Sequence, residues 1–403
     1  MPAVKYMIYV GLTNTSGKDT TQTINADEYL HSLNDKFELT ILTAIVFLAA
    51  IMVVGSVGNI IVCYIYLTKF KVTTTRCFVV TLAFFDLLTC CVAIPGELVD
   101  FSQNYTFKNV KLCKALSFCN AFTTMTSAAV LVAIASDRYK KICKPLAKQM
   151  SINWAKVAVG LSCAMAVLFA WPNFVLYGPR TVLTKYSNIN GTDCSTDDRF
   201  IGTIYPLLYN GILFLLFVTA VSVMVVLYLH IWRTVLKRVG LHEPKAKLAT
   251  NTQMRQRVRY LKDSGESNDL TPTINTRLNE PITDFVTNEC DGKTSTLDTK
   301  EPAVKTGKSA RVQQARKTTF MLFLITLVFV LSFLPHLGLM AARGIHKVMF
   351  DSLSPGATAA YNFFLRSYFI NSASNPIIYG FCNLRFRDQC KALLVKIFHT
   401  GQT

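Results

Sequence analysis

The sequence has few acidic residues and lacks the residue patterns that would indicate an enzyme. Asp and Glu together number 24 of 403 residues, against 42 Lys and Arg. No HExxH, GxSxG or paired Cys/His spacing occurs, so a metalloprotease, a serine hydrolase or a zinc site has no support. We therefore expect no enzymatic activity. The two halves show no repeat, which disfavours a transporter built from inverted repeats.

The chain also lacks charge within its long apolar stretches. It is 51% hydrophobic with a mean hydropathy of +0.33, and the basic residues behind its net charge of +18 lie mainly between apolar runs. A basic soluble protein would suggest nucleic-acid binding, but this distribution is typical of membrane proteins. We therefore expect membrane lipid around the chain and no nucleic-acid partner.

Seven apolar runs are long enough to cross a bilayer as helices, which takes about 20 residues each. They cover 39–67, 77–98, 112–135, 154–177, 201–232, 318–342 and 357–382. The alternating pattern of a transmembrane β-barrel is absent. The sequence therefore predicts an all-α membrane protein with a bundle of seven transmembrane helices.

The predicted spans divide the chain into five regions. These are an N-terminal tail (1–38), spans one to five (39–233), a long loop (234–316), spans six and seven (317–382), and an amphipathic helix with a short tail (383–403). The long loop is rich in Ser, Thr, Asn, Lys and Asp and poor in apolar residues, so we expect it to be largely disordered. Its basic end, 305–317, should continue span six.

The charges and sequons in the loops indicate how the chain is oriented in the membrane. Lys and Arg cluster after spans one, three, five and seven, which places those loops in the cytoplasm and the N-terminus outside. Glycosylation sequons begin at Asn14, Asn104 and Asn190, all on the opposite side. Cys113 and Cys194 lie there too, where a disulfide can persist. The sequence predicts a multi-pass plasma-membrane protein with an extracellular, glycosylated side.

Asp86 is a carboxylate in the middle of a span. Its insertion costs about 2.5–3.5 kcal/mol, so it needs polar partners. The polar residues at similar depth are Asn59, Ser127, Asn371, Ser372 and Asn375. Two interpretations are compatible: a hydrogen-bond network between helices, and a cation site.

Asp137-Arg138-Tyr139 ends the third span, about 37 Å along a helix from Cys113 at 1.5 Å per residue. A charge pair between Asp137 and Arg138 that can be released is a two-state element. Pro335 and Pro376 remove helix hydrogen bonds and supply hinges for such a movement.

These motifs, in this order and on these spans, resemble the rhodopsin-like (class A) G-protein-coupled receptors. The matching residues are Gly58-Asn59, Leu82-Ala83-Phe84-Phe85-Asp86, Cys113, Asp137-Arg138-Tyr139, Phe329 ahead of Pro335, Asn375-Pro376-Ile377-Ile378-Tyr379, and Phe386-Arg387. The resemblance covers nearly the whole chain outside the N-terminus and the long loop.

The resemblance implies a Cys113–Cys194 disulfide, an allosteric sodium ion at Asp86 with no other cofactor, and a short surface helix after span seven. It implies heterotrimeric G proteins, arrestin and receptor kinases as partners. Coupling residues would be Asp137, Arg138, Tyr139, Leu146, Tyr228, Phe329, Pro335, Asn375, Pro376 and Tyr379. Cys390 is either a palmitoylation site or an inert thiol.

The chain departs from the family pattern in spans four to six. Phe333 stands where a Trp is usual, Ala220 where a proline is common, and Ser162 and Cys163 near the middle of span four, where a Trp is expected. These departures affect the family's aromatic switch and the bulge of span five, and leave the fold prediction intact.

Two ligand classes are disfavoured by resemblance. Retinal needs a lysine in span seven, where Phe369 stands instead. Biogenic amines need an Asp about two turns below Cys113, where this chain has Asn120.

The predicted ligand pocket has mixed charge and aromatic surface. It comprises Glu97, Asn120, Phe333, His336, Met340, Arg343, Tyr361 and Arg366. The long second outer loop resembles the hairpin loops of peptide receptors. We therefore expect an extracellular neuropeptide ligand, with a lipid or another small non-amine molecule as the alternative.

Overall fold

The computed structural model describes residues 25–186, 188–263, 303–345 and 353–400. Within these residues, six helices are long and apolar enough to cross a membrane. They are Leu42–Lys69, Thr74–Ser102, Val110–Cys143, Ile152–Leu176, Tyr205–Lys237 and Lys317–Arg343, here called spans one to six. They correspond to the first six predicted runs and extend most of them by a few residues.

Span seven consists of consecutive shorter pieces. Helix Pro355–Leu365 is followed by a 3₁₀ turn, Ser367–Phe369, and by helix Ile370–Cys382. Helix Leu384–Thr400 comes next. The seventh predicted run, 357–382, is therefore present as two helices joined by a 3₁₀ turn. The interruption falls at Arg366, a buried charge whose guanidinium binds groups on two helices.

Span two also contains an irregular turn. Helix Thr74–Leu88 passes through a π-helical segment, Thr89–Ala93, into helix Ile94–Ser102. Pro95, the second residue after that segment, has no N–H to donate, and a wider turn relieves such a disruption. The extra residue of the π turn changes the face on which the following residues, including Glu97, are presented.

A β-hairpin lies between spans four and five. Strand β1, Tyr177–Leu183, pairs antiparallel with β2, Asn190–Thr196, with Tyr177 opposite Thr196. The disulfide Cys113–Cys194 ties β2 to the start of span three, as the resemblance implied. We call this side of the bundle the disulfide end and the opposite side the Arg138 end.

The hairpin ends in an ion pair. Arg199 Nη2 lies 2.8 Å from Asp197 Oδ2, and the Asp197 Oδ1 atom accepts from the Arg199 backbone N–H at 3.1 Å. The Arg199 guanidinium holds the pKa of Asp197 below its usual value. Asp197 therefore stays ionised and fixes the short 3₁₀ turn Asp198–Phe200 that leads into span five.

The N-terminal region contains a helix that was not predicted, Ala26–Thr40. Its residue Asn34 is buried. The Asn34 Nδ2 donates to Thr106 Oγ1 at 2.9 Å, and its Oδ1 accepts from the Tyr105 N–H at 2.8 Å. Phe37 packs against Phe101 of span two, with ring centroids 6.3 Å apart. This N-terminal helix is thus docked on the disulfide end.

The long loop differs from its prediction. Helices Tyr205–Asp263 and Ala303–Ile345 extend well beyond the apolar spans. Residues 303–316 are helical, in agreement with the expectation that the basic end of the loop continues span six. Residues 234–263 are helical as well, where a largely disordered loop was expected. They contain many Leu, Lys, Arg, Ala and Gln residues, which favour helices whether or not an apolar face is present. Residues 264–302 lie outside the described ones, and Trp232–Gln313 forms a unit of its own.

Span one packs against span seven at a glycine. A Cβ atom placed on Gly58 would stand 2.7 Å from the Cβ atom of Pro376. This separation is shorter than carbon atoms tolerate, so only glycine allows the two helices to approach this closely. Pro376 lies inside helix Ile370–Cys382, so Gly58 packs against one of the candidate hinges.

Replacing Gly58 by Ala is expected to lower the free energy of unfolding by about 1–3 kcal/mol, because the added methyl group overpacks this contact. The matched control is Gly338→Ala in span six, where an added Cβ meets nothing within 4 Å. The control should keep or gain stability, since Ala favours a helix over Gly by about 1 kcal/mol. Thermal unfolding of the purified variants measures the difference, and equal midpoints would contradict the close contact.

Candidate functional site

A cavity of about 380 Å³ lies among spans three to six. Three of the predicted pocket residues, Asn120, Phe333 and His336, line it. Tyr368 of span seven lines it as well. The remaining wall is mostly apolar and includes Met125, Ala128, Ala129, Val132, Ala166, Phe169, Leu213, Phe217, Ala220, Val223 and Phe329. A volume of this size suits a small ligand or the side chains of a larger one.

A buried ion pair joins spans two and seven. Arg366 Nε lies 2.9 Å from Glu97 Oε2, and the Arg366 side chain is 1% exposed. Arg366 Nη1 also donates to Asn362 Oδ1 at 3.0 Å. The guanidinium carbon lies 4.0 Å from the centre of the Phe101 ring, and that ring packs against Phe37 of the N-terminal helix. The ion pair is thus held by contacts from spans two and seven, and Phe101 links it to the N-terminal helix.

Asn120 connects this ion pair to the cavity. Its Nδ2 donates to Tyr368 Oη at 2.9 Å and to Glu97 Oε1 at 3.4 Å. Two buried atoms of the group have no hydrogen-bond partner among the described residues, namely Asn120 Oδ1 and Arg366 Nη2. The polar cluster Glu97–Arg366–Asn120–Tyr368 therefore offers one unused acceptor and one unused donor.

The other predicted pocket residues lie apart from this cavity. Met340 packs against a buried cluster of Tyr361 and Leu365, and Arg343 is buried. These residues, with Glu97 and Arg366, do not line the cavity. The sequence places them near the correct depth, but it does not determine which face of each helix they occupy. Their contact with ligand stays a prediction.

Sequence reasoning missed the part of the wall that spans three, four and five contribute. Small side chains leave space there, notably Ala128, Ala129, Ala166 and Ala220. A signal was present in the sequence, because Ala220 and Ser162 lie where or near where the family usually has larger or stiffer residues. The family pattern relates these positions to the aromatic switch and to the bulge of span five, and small side chains there also leave volume.

The polar centre of the bundle surrounds Asp86, which is fully buried. Asn375 Nδ2 donates to Asp86 Oδ2 at 2.6 Å. Asn59 Nδ2 donates to the Ser372 carbonyl at 2.8 Å. These bonds join spans one, two and seven, in keeping with the predicted network.

Several oxygens in this centre lack hydrogen-bond partners among the described residues. They are Asp86 Oδ1, Asn59 Oδ1, Asn371 Oδ1 and Asn375 Oδ1. A cavity of about 10 Å³ nearby is lined by Ser127, Asn371 and Ser372, among others. A set of oxygen acceptors fits a hard cation. Asp86 supplies the carboxylate of this set and the other three oxygens are neutral amide oxygens, so the set carries a single negative charge.

The Arg138 end contains the predicted charge pair. Asp137 is buried and binds Arg138. Lys141 Nζ lies 2.8 Å from Asp137 Oδ2, and Thr74 Oγ1 donates to Asp137 Oδ1 at 3.3 Å. Arg138 Nη2 donates to Thr75 Oγ1 at 2.7 Å. Arg138 is thereby held against the start of span two.

Spans five and six are joined near the same end. The Tyr228 hydroxyl donates to the Leu322 carbonyl at 3.2 Å and lies 3.2 Å from Thr326 Oγ1. Tyr379 is fully buried, with its ring 5.8 Å from that of Tyr66. These contacts describe a closed arrangement, in which Arg138 is paired and the two spans remain bonded.

The remaining coupling residues have distinct environments. Phe329 packs on Phe333 with ring centroids 4.7 Å apart, Tyr139 faces His230 at 6.1 Å, and Pro335 lies inside a helix. Leu146 is fully exposed in the loop after span three, which agrees with its prediction as an exposed apolar residue.

The three sequons differ in accessibility. Asn104 is 0% exposed, so glycosylation there is wrong as a prediction, because a glycan on Nδ2 must project into solvent. Asn190 is exposed at the start of β2. Asn14 lies outside the described residues. Cys390 is a half-buried free thiol, and its palmitoylation stays a prediction.

This fold is that of a multi-pass membrane receptor: a helical bundle with a polar centre, a hairpin tied by a disulfide at one end and a buried Asp-Arg pair at the other. Residues 58–379 match the 7 transmembrane receptor (rhodopsin family). The chain belongs to this family. It is therefore a class A receptor of the plasma membrane, and the family is one of receptors rather than enzymes.

Proposed function

We propose that this chain is a G-protein-coupled receptor for an extracellular peptide, with its N-terminus and disulfide end outside the cell. The buried polar cluster is the observation that carries the choice of ligand class. A peptide amide contains one carbonyl acceptor and one N–H donor. Arg366 Nη2 is an unused donor and Asn120 Oδ1 an unused acceptor, so an amide group that reached both would pair both.

An amidated C-terminus fits this cluster better than a free carboxylate. The amide supplies a donor to Asn120, which a carboxylate lacks, and it brings no negative charge next to Glu97. Unpaired polar groups in a buried site are costly, so a ligand that pairs them gains selectivity over one that does not. The apolar cavity beside Asn120 can accept a neighbouring hydrophobic side chain of the peptide.

The apolar lining of the cavity favours a second candidate ligand. A lipid or another small non-amine molecule would fill the space among spans three to six and use only Asn120, His336 and Tyr368 as polar contacts. This candidate needs no interaction with the Glu97–Arg366 pair. The two candidates therefore differ in which residues the ligand depends on.

Activation, in this proposal, opens the Arg138 end. The closed arrangement keeps Arg138 on Asp137 and Thr75, and Tyr228 on span six. A ligand that binds the open state more tightly shifts the population toward it. Arg138 and Leu146 then become available to a heterotrimeric G protein, and arrestin and receptor kinases would act on the same end.

A sodium ion would bind beside Asp86 in the closed state. Asp86 Oδ1, Asn371 Oδ1 and Asn375 Oδ1 are the buried oxygens available to hold it. The ion would offset the carboxylate charge in a medium of low dielectric constant. Asn59 and Ser127 are the further members of the predicted network.

Screening an amidated peptide library for calcium and cAMP responses tests the ligand class. Each active peptide is compared with its free-acid form, which should be at least tenfold weaker, the equivalent of about 1.4 kcal/mol. Arg138→Ala, checked for surface expression, should abolish the response. Responses to apolar small molecules alone would reject the peptide proposal, and a peptide response that survives Arg138→Ala would reject the coupling mechanism.

Asp137→Asn is expected to raise basal signalling, because Arg138 loses its buried charge partner and the closed state loses stability. If the pair contributes about 1.4 kcal/mol, the ratio of open to closed receptor rises about tenfold. The matched control is Asp388→Asn, which removes an exposed carboxylate after span seven. Basal cAMP or GTPγS binding at equal surface expression measures the effect; unchanged basal signalling would contradict the proposed role of the pair.

Sodium should stabilise the purified receptor against heat relative to choline at the same ionic strength. An ion at about ten times its dissociation constant contributes about 1.4 kcal/mol. Asp86→Asn should remove this difference, because the amide cannot supply the negative charge. A sodium effect that persists in Asp86→Asn would place the ion elsewhere.

A further inference from the structure

The cavity is elongated along span three. Its lining runs from Asn120 to Val132 on that span, a distance of about 18 Å at 1.5 Å per residue. An elongated site of this kind suits a flexible hydrocarbon chain.

The part of the cavity toward the Arg138 end, here called the acyl arm, is lined by small and apolar groups. Its small residues are Ala128, Ala129, Ser162, Ala166 and Ala220. The Ser162 hydroxyl donates to the Ala158 carbonyl at 2.8 Å. Thr219 uses its hydroxyl in the same way, on the Leu215 carbonyl at 2.8 Å. These two hydroxyls are therefore satisfied within their own helices, and the wall offers mainly methyl and methylene groups.

The acyl arm opens between spans four and five, toward the membrane. Among its lining residues, Met165 is 47% and Val223 40% exposed, and Thr219 is exposed as well. All three lie on helices long and apolar enough to cross a bilayer. The medium at the opening is therefore lipid hydrocarbon, and a peptide cannot approach through it without leaving its backbone groups unpaired.

We propose that the acyl arm binds one acyl chain of a membrane phospholipid, which enters between spans four and five. Transfer from bilayer to cavity changes the polarity around the chain very little. The gain comes from dispersion contacts with walls that otherwise face a void. A flexible acyl chain can follow the length of this apolar lining, whereas a sterol ring system is rigid.

The inference does not rest on the peptide proposal. It concerns the apolar lower part of the cavity, whereas the proposed peptide contacts are at Arg366 and Asn120. The two sites meet next to Asn120, on its side toward the Arg138 end. The acyl chain would therefore contact the ligand group that reaches deepest into the cavity.

Photocrosslinking in nanodiscs tests the site. The full chain is placed in bilayers that contain a phosphatidylcholine with a diazirine on its acyl chain, and crosslinked residues are mapped by mass spectrometry. Lipids around the bundle will label exposed positions such as Leu168. A chain inside the acyl arm should also label Ala166 and Leu213, which are 2% and 8% exposed. Labelling confined to exposed residues would overturn the proposal, with no variant needed.

Two variants that fill the arm sharpen the result. Ala220→Leu and Ala129→Leu each add a larger side chain to the lining, so labelling of Ala166 and Leu213 should fall about tenfold or more, since a filled cavity cannot admit the chain. Ala164→Leu is the matched control, on an exposed position of span four outside the lining. Thermal unfolding checks that each variant is folded. Equal labelling in filled and control variants would reject the site, and stronger labelling by a photoreactive sterol would reject the acyl chain as its occupant.

Discussion

Charge inside a membrane-spanning bundle must be paired, and this requirement organises the receptor at three depths. Arg366 binds Glu97 at the disulfide end, Asp86 accepts from Asn375 at the centre, and Asp137 binds Arg138 at the opposite end. An unpaired ionised group in such a medium costs several kcal/mol. The first two pairings both join span two to span seven.

The irregular backbone of spans two and seven lies close to one of these charge pairs. The helix of span seven is interrupted at Arg366, and a π turn in span two precedes Glu97. Both partners of this ion pair therefore lie near an irregular turn. Irregular backbone is tolerated at membrane depth only where protein surrounds it. The N-terminal helix contributes to that surrounding, because Phe37 packs on the Phe101 ring that covers the Arg366 guanidinium.

The alanines of spans three, four and five separate helices, whereas the paired charges bring helices together. The charges and Gly58 bring helices together, whereas Ala128, Ala166 and Ala220 leave space between spans three, four and five. The cavity that results has a polar cluster at one end and an opening toward lipid at the other. A receptor of this shape can use polar groups to select a ligand and apolar volume to accommodate its hydrophobic part, or a lipid chain beneath it.

The sequence by itself determined the class of protein, the seven spans and the polar centre around Asp86, and its resemblance to the family implied the disulfide. Apolar runs and isolated charges are local properties, and the bilayer makes their consequences nearly unavoidable. Only the tertiary structure decided that Arg366 pairs with Glu97, since these residues are 269 positions apart in the chain. It also decided that Asn104 is buried, that an N-terminal helix docks on the disulfide end, and that alanines open a cavity. These features depend on which helix faces meet, and a single sequence does not encode that in any short segment.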